Sequence, residues 1–109
     1  EINLAENCSL TTPLWIWTSP EAPASWYFLT VDGDAADAIR ATVLMRRLEG
    51  GQRRGWGSVR VTATIGETCW QTSLFPSKEL GGWLLPVKAA VRKAEHLDAG
   101  DVVAVTIQY

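Results

Sequence analysis

The chain has few of the residue types that carry most enzyme chemistry. Among 109 residues there is one histidine, His96, and two cysteines, Cys8 and Cys69, far apart in sequence. That pair fits no zinc or redox spacing. Two free thiols are expected, with Cys69 packed in or beside a strand. One histidine, two distant cysteines and scattered acids do not compose a metal site, so neither metal nor cofactor is expected. Hydroxyl and carboxylate side chains are plentiful, yet none sits in a nucleophile elbow or a paired-acid motif. An enzyme is therefore not the expectation. No apolar run approaches the roughly 20 residues of a transmembrane helix, and no basic-then-apolar leader is visible. No membrane and a cytoplasmic location are expected. Nor does any linker divide the chain, which reads as one domain over residues 1–109 with its core in about 13–109.

What is present is a globular composition, 47% hydrophobic and 20% charged, in a 12.0 kDa chain able to bury one core without staples. The net charge of −2 and a pI near 5.3 argue against a generic nucleic-acid binder. The charges are unevenly spread. Residues 1–39 hold six acids and no base, residues 40–93 hold all ten bases against three acids, and residues 94–109 add three acids. Such segregation gives an acidic protein a basic face if the segments stay apart in space.

Hydrophobic alternation dominates the pattern. Residues 14–18 and 26–31 are aromatic and β-branched and read as strands, joined by a loop with Pro20 and Pro23. Asp32-Gly33-Asp34 turns the chain into a helix over 35–47, with an aspartate as N-cap. Its apolar positions Ala35, Ala38, Ile39, Thr42 and Val43 share one face. A glycine-rich loop spans 49–57. Val59, Val61, Ala63 and Ile65 then alternate with polar residues up to Gly66-Glu67, a two-residue connection suited to a hairpin. Placing Ile65 opposite Thr68 sets Ala63 against Trp70, Val61 against Thr72 and Val59 against Leu74. One face becomes apolar and the other polar, and a one-residue slip would spoil both. A short strand follows at 82–86, then a helix with Pro86 in its first turn and Val87, Ala90, Val91, Ala94 and Leu97 at helical spacing. Asp98-Ala99-Gly100-Asp101 turns the chain into a last strand, 102–109. The count is about six strands and two short helices, a mainly β fold of barrel type. The strand–turn–helix of 26–40 is echoed by that of 82–92, which suggests two similar halves.

Three stretches carry a resemblance. They are Leu14-Trp15-Ile16-Trp17 with Trp26-Tyr27-Phe28-Leu29; Arg53-Arg54-Gly55-Trp56-Gly57-Ser58-Val59; and Thr72-Ser73-Leu74-Phe75-Pro76 running on through Gly81-Gly82-Trp83-Leu84-Leu85-Pro86 to Glu95. Together they resemble the bacterial domain-of-unknown-function family 1905. The resemblance implies a double-split β-barrel with pseudo-twofold halves, related to the swapped-hairpin barrels of AbrB-type regulators. It implies no established activity.

The sharpest functional candidate is an arginine-glycine loop. Arg46, Arg47, Arg53, Arg54 and Arg60 crowd into fifteen residues around Trp56, with Lys88 further on. Arginines grip anions in pairs and an exposed tryptophan stacks on planar groups. The bland alternative is a solvated connection whose Trp56 tucks into the barrel. Six tryptophans are many for this length, and most should fill the barrel. Trp15 and Trp17, however, alternate with Leu14 and Ile16, so an aromatic cleft is the competing reading. His96 falls at a helix end, where a lone histidine serves the helix dipole. The expected function is a non-catalytic module, monomer or weak dimer, binding a small anionic ligand or a protein partner. The alternative is an AbrB-like nucleic-acid binder, with a continuous positive face made by Arg46, Arg47, Arg53, Arg54, Lys88 and Lys93.

Overall fold

A computed structural model of the chain describes residues 6–50 and 57–109. Alternating apolar residues give six strands and two helices, in the order β1 (Asn7–Ser19), β2 (Ala22–Val31), α1 (Gly33–Gly50), β3 (Val59–Ile65), β4 (Thr68–Ser77), β5 (Gly82–Pro86), α2 (Ala89–Glu95) and β6 (Val102–Gln108). The strands close into a barrel ordered β1-β2-β5-β4-β3-β6, every neighbour antiparallel.

Two strands are each shared between two sheets. β1 pairs with β6 over residues 7–13 and with β2 from Leu14 onward. β4 pairs with β3 up to Leu74 and with β5 from Phe75. Pro13, which has no N–H to give a ladder, stands where β1 changes partners. There the Leu14 N–H donates to the Asp101 carbonyl at 2.8 Å, and the Gly100 N–H donates to the Leu14 carbonyl at 2.7 Å. We call the β1-β6-β3-β4 part sheet A and the β1-β2-β5-β4 part sheet B.

The ring of strands has twofold symmetry. Exchanging β1 with β4, β2 with β5 and β3 with β6 returns the same neighbours, and α1 then exchanges with α2. The registers carry Leu14 onto Leu74, Leu29 onto Leu85, Val31 onto Val87, and Val61, Ala63 and Ile65 onto Val103, Val105 and Ile107. All of these are buried. The axis runs through the Leu29–Leu85 pair in sheet B and the Thr64–Thr106 pair in sheet A. The echoed strand–turn–helix is thus β2-α1 against β5-α2.

The barrel wall leaves only its mouths for other residues to reach the core. α1 sends in Ala36 and Ile39, and α2 sends in Val91. The Trp83 indole N–H reaches the Ala36 carbonyl at 3.3 Å, which satisfies a donor that burial would otherwise strand. Two glycines allow close approaches. Gly66 turns the β3–β4 hairpin at φ +59°, directly under the Glu95 carboxylate, which accepts from the Thr68 hydroxyl at 2.5 Å. Gly82 lies against the Val31 backbone, leaving no room for a Cβ.

Several expectations are corrected. β1 begins at Asn7 rather than 14, and α1 has 18 residues, more than a short helix. Ala36, not Ala38, is buried on α1, because the helix begins at Gly33 and its phase follows the mouth it plugs. Pro86 ends β5 instead of starting α2: in extended geometry it occupies an outward strand position, and the helix waits until Ala89. Ala90 and Ala94 are exposed. No helix among the described residues is long and apolar enough to cross a membrane.

Candidate functional site: the aromatic face of the barrel

Strand alternation decides which side chains face outward. In sheet B the leucines at 14, 29, 74 and 85 point into the core. Their alternates, Trp15 and Trp17 on β1, Trp26 and Phe28 on β2, Leu84 on β5 and Phe75 on β4, therefore point out. The register sets Trp15 opposite Phe28 and Trp17 opposite Trp26, two aromatic rungs in succession. The rings of Trp15 and Phe28 are 5.3 Å apart and tilted by 40°, a favourable arrangement for an aromatic pair. The Trp15 indole donates to the Thr30 hydroxyl at 2.9 Å, which fixes its ring. Trp17 is 48% exposed and Trp26 53%. Together these side chains line a cleft of about 500 Å³, in which Glu79 is the sole charged side chain among the described residues.

A second depression of about 310 Å³ adjoins the first and shares Trp26 and Pro86 with it. Its other walls include Tyr27, Trp70, Lys88 and Arg92. The Arg92 guanidinium lies 3.7 Å over the Tyr27 ring and donates to the Val87 carbonyl at 2.8 Å. A planar cation over an aromatic face is attracted by the ring quadrupole. Among the described residues the one ion pair is Arg40–Asp37, so no carboxylate neutralises Arg92 or the exposed Lys88. A further hollow along α2 mixes Arg92, Lys93 and His96 with Asp98.

The candidate anion-site residues go to different places. Arg53, Arg54 and Trp56 lie outside the described residues. Arg46, half-buried on α1, donates to the Tyr109 carbonyl at 2.8 Å, and Arg47 follows it on the last turn. Arg60 is exposed on β3. It lies two residues before Thr62, which the β3–β6 register sets opposite Gln108. Tyr109 itself is buried. Burial raises its hydroxyl pKa, with Cys8 and Glu6 adding to the rise, while a hydrogen bond with Thr42 and the charge of Arg46 oppose it. Burial likewise raises the Cys8 thiol pKa. Lys88 stands apart from these arginines, at the β5–α2 junction with Arg92.

The expectation that most tryptophans fill the barrel is overturned. Of the five described, Trp70 and Trp83 are buried, whereas Trp15, Trp17 and Trp26 face outward, because they fall on the opposite alternation phase from the inward leucines. Cys69 lies in β4 but is exposed, and both cysteines are free. His96 caps α2 through its backbone, with φ at 55° and its N–H on the Lys93 carbonyl. Arg92 lies on α2, half-buried. Its role in the wall depends on Tyr27, which no local pattern brings near.

Among the described residues no group of three or more histidines, cysteines and acids lies close enough to hold a metal ion. No curated protein matches the chain. The model of one family, described as a domain of unknown function (DUF1905), matches residues 11–107, which takes in all six strands but the first four residues of β1 and the last residue of β6. The double-split barrel and the tryptophan-bearing strands that build this face thus fall within the matched span, and the chain belongs to the DUF1905 family.

Proposed function

We propose that the domain is a non-catalytic binding module whose recognition surface is the outer face of sheet B, and that it takes a small ligand with a planar, apolar body. The observation that supports this most is the pair of aromatic rungs, Trp15–Phe28 and Trp17–Trp26, on a face that neither helix covers. Both helices are spent on the barrel mouths. Exposing large aromatic rings to water forgoes about 1.5–3 kcal/mol for each one that burial would have contributed, and contiguous patches of this kind mark interaction sites. The cleft of about 500 Å³ falls within the usual range for small-molecule pockets. Rigid rings offer area at little entropic cost, which suits a flat ligand.

The test is a titration with the uncharged dye N-phenyl-1-naphthylamine, followed by its fluorescence. The wild type is expected to enhance the dye, Trp26→Ser to lose most of the enhancement at an unchanged melting temperature, and Thr106→Val on the opposite sheet to keep it. Equal binding by a folded Trp26→Ser variant would refute this site.

A further inference from the structure

The aromatic cleft has a polarity along its length, and this deepens the reading above, on which it rests. β5 runs beneath the cleft for five residues, roughly 17 Å at strand rise. The turn bearing Glu79 and Leu80 precedes it, and Lys88 follows it. Phe28 pairs with Pro86, so the antiparallel register continues to bring Trp26 level with Lys88. Phe75 and Leu84 lie toward the Glu79 end, the Trp15–Phe28 rung lies in the middle, and the Trp17–Trp26 rung lies at the end where Lys88 and Arg92 line the adjoining depression. Among the side chains that line the two depressions, the ladder of rings therefore leads from Glu79 at one end to Lys88 and Arg92 at the other. The two depressions meet at Trp26 and Pro86.

We propose that the ligand is an amphipathic anion. Its apolar, planar body lies along the two aromatic rungs, and its anionic head sits between Lys88 and Arg92. The head cannot lie the other way round without meeting Glu79 across an apolar cleft, where charge repulsion is poorly screened. Arg92 is already oriented by the Tyr27 ring and the Val87 carbonyl. Its remaining guanidinium donors are therefore fixed before a ligand arrives, which lowers the entropic cost of binding. Lys88 is exposed and has no side-chain partner among the described residues, so it contributes a point charge to any head group of this sign.

The discriminating experiment compares two dyes of nearly the same shape. 8-Anilinonaphthalene-1-sulfonate carries an anionic head, and N-phenyl-1-naphthylamine does not. The proposal expects the anionic dye to bind roughly tenfold more tightly at low salt. Lys88→Gln should remove most of that difference without touching the neutral dye's affinity, and salt should act on the anionic dye alone. Arg92→Gln, checked for folding by its melting temperature, should act in the same direction. Equal affinities for the two dyes would overturn this inference while leaving the apolar cleft intact. A preference for the anion that both variants leave unchanged would also overturn it, because the head would then sit elsewhere. Failure of the neutral and the anionic dye alike to bind would overturn this inference and the proposed function together.

Discussion

The two outer faces of this barrel share two strands, β1 and β4, and the same alternation, yet they present opposite chemistry. The twofold axis passes through the middle of each, at Thr64–Thr106 in sheet A and at Leu29–Leu85 in sheet B. Across sheet A the outward positions form a row of small polar groups. Ser9, Thr106 and Thr64 stand opposite one another in register, with Cys69 next, and the Ser9 and Thr106 hydroxyls are 3.0 Å apart. Across sheet B the corresponding positions carry tryptophan and phenylalanine. Symmetry fixes the inward residues, since both halves must fill one core, but places no demand on the outward ones. The contrast teaches where to look for function: the interior is constrained by packing, and of the two outer sheet faces it is sheet B that gathers aromatic rings.

The largest expected effects lie at the axis, inside. Leu29 and Leu85 are both fully buried and are each other's twofold mates. Leu29→Ala and Leu85→Ala should each cost about 2–5 kcal/mol in urea unfolding, by similar amounts. A difference of more than about 2 kcal/mol between them would show that the symmetry is one of topology only, with the two mouths packed unequally.

A smaller and reversible effect separates the sheets by pH. The titratable groups with perturbed values, Tyr109 and Cys8, both pack against the sheet A side of the core. The inward leucines and valines of sheet B do not ionise. Both shifts are upward, because burial disfavours the charged form. The stability they contribute is therefore fully present below their unfolded values, about 8.5 for cysteine and 10 for tyrosine, and is lost as pH rises through the higher folded values. Thermal unfolding between pH 8 and 11 should show a falling melting temperature. A Tyr109→Phe/Cys8→Ala double variant should flatten that fall, and an unchanged slope would place the alkaline weakness elsewhere in the barrel.

How much of this was legible in the sequence follows from how local each signal is. The β3–β4 hairpin was readable to the last pair, from Val59 opposite Leu74 to Ile65 opposite Thr68, because a two-residue turn and strict alternation leave one register that buries a single face. The alternation of Trp15 and Trp17 with Leu14 and Ile16 was readable as well, but the β1–β2 connection with its two prolines set no register, and most tryptophans were expected inside the barrel. The first half of β1 was not readable, since its inward positions, Cys8, Leu10 and Thr12, are only half-buried and give little alternation to detect. Pro86 misled because a proline before a helical pattern also suits a first helical turn. The stacking of Arg92 on Tyr27 rests on β2 meeting β5, a long-range contact no local pattern encodes.

The smallest expected effect tests the independence of the two faces. The Ser9–Thr106 hydrogen bond is exposed, so water replaces whichever partner is removed, and the net contribution of such a bond is at most about 0.5–1 kcal/mol. Ser9→Ala should therefore lower stability by less than about 1 kcal/mol and leave the affinity for both dyes as it was, measured on the same preparations as the sheet B variants. The barrel interior between the faces is a packed layer of mostly aliphatic side chains that holds each strand's phase, so a polar change on one surface has no lever on the rings of the other. A change in dye affinity on Ser9→Ala would show that β1, one of the two strands both sheets share, transmits strain past its split at Leu14. Sheet A would then have to be counted as part of the binding device, and the contrast between the faces would be one of contact with the ligand rather than of function.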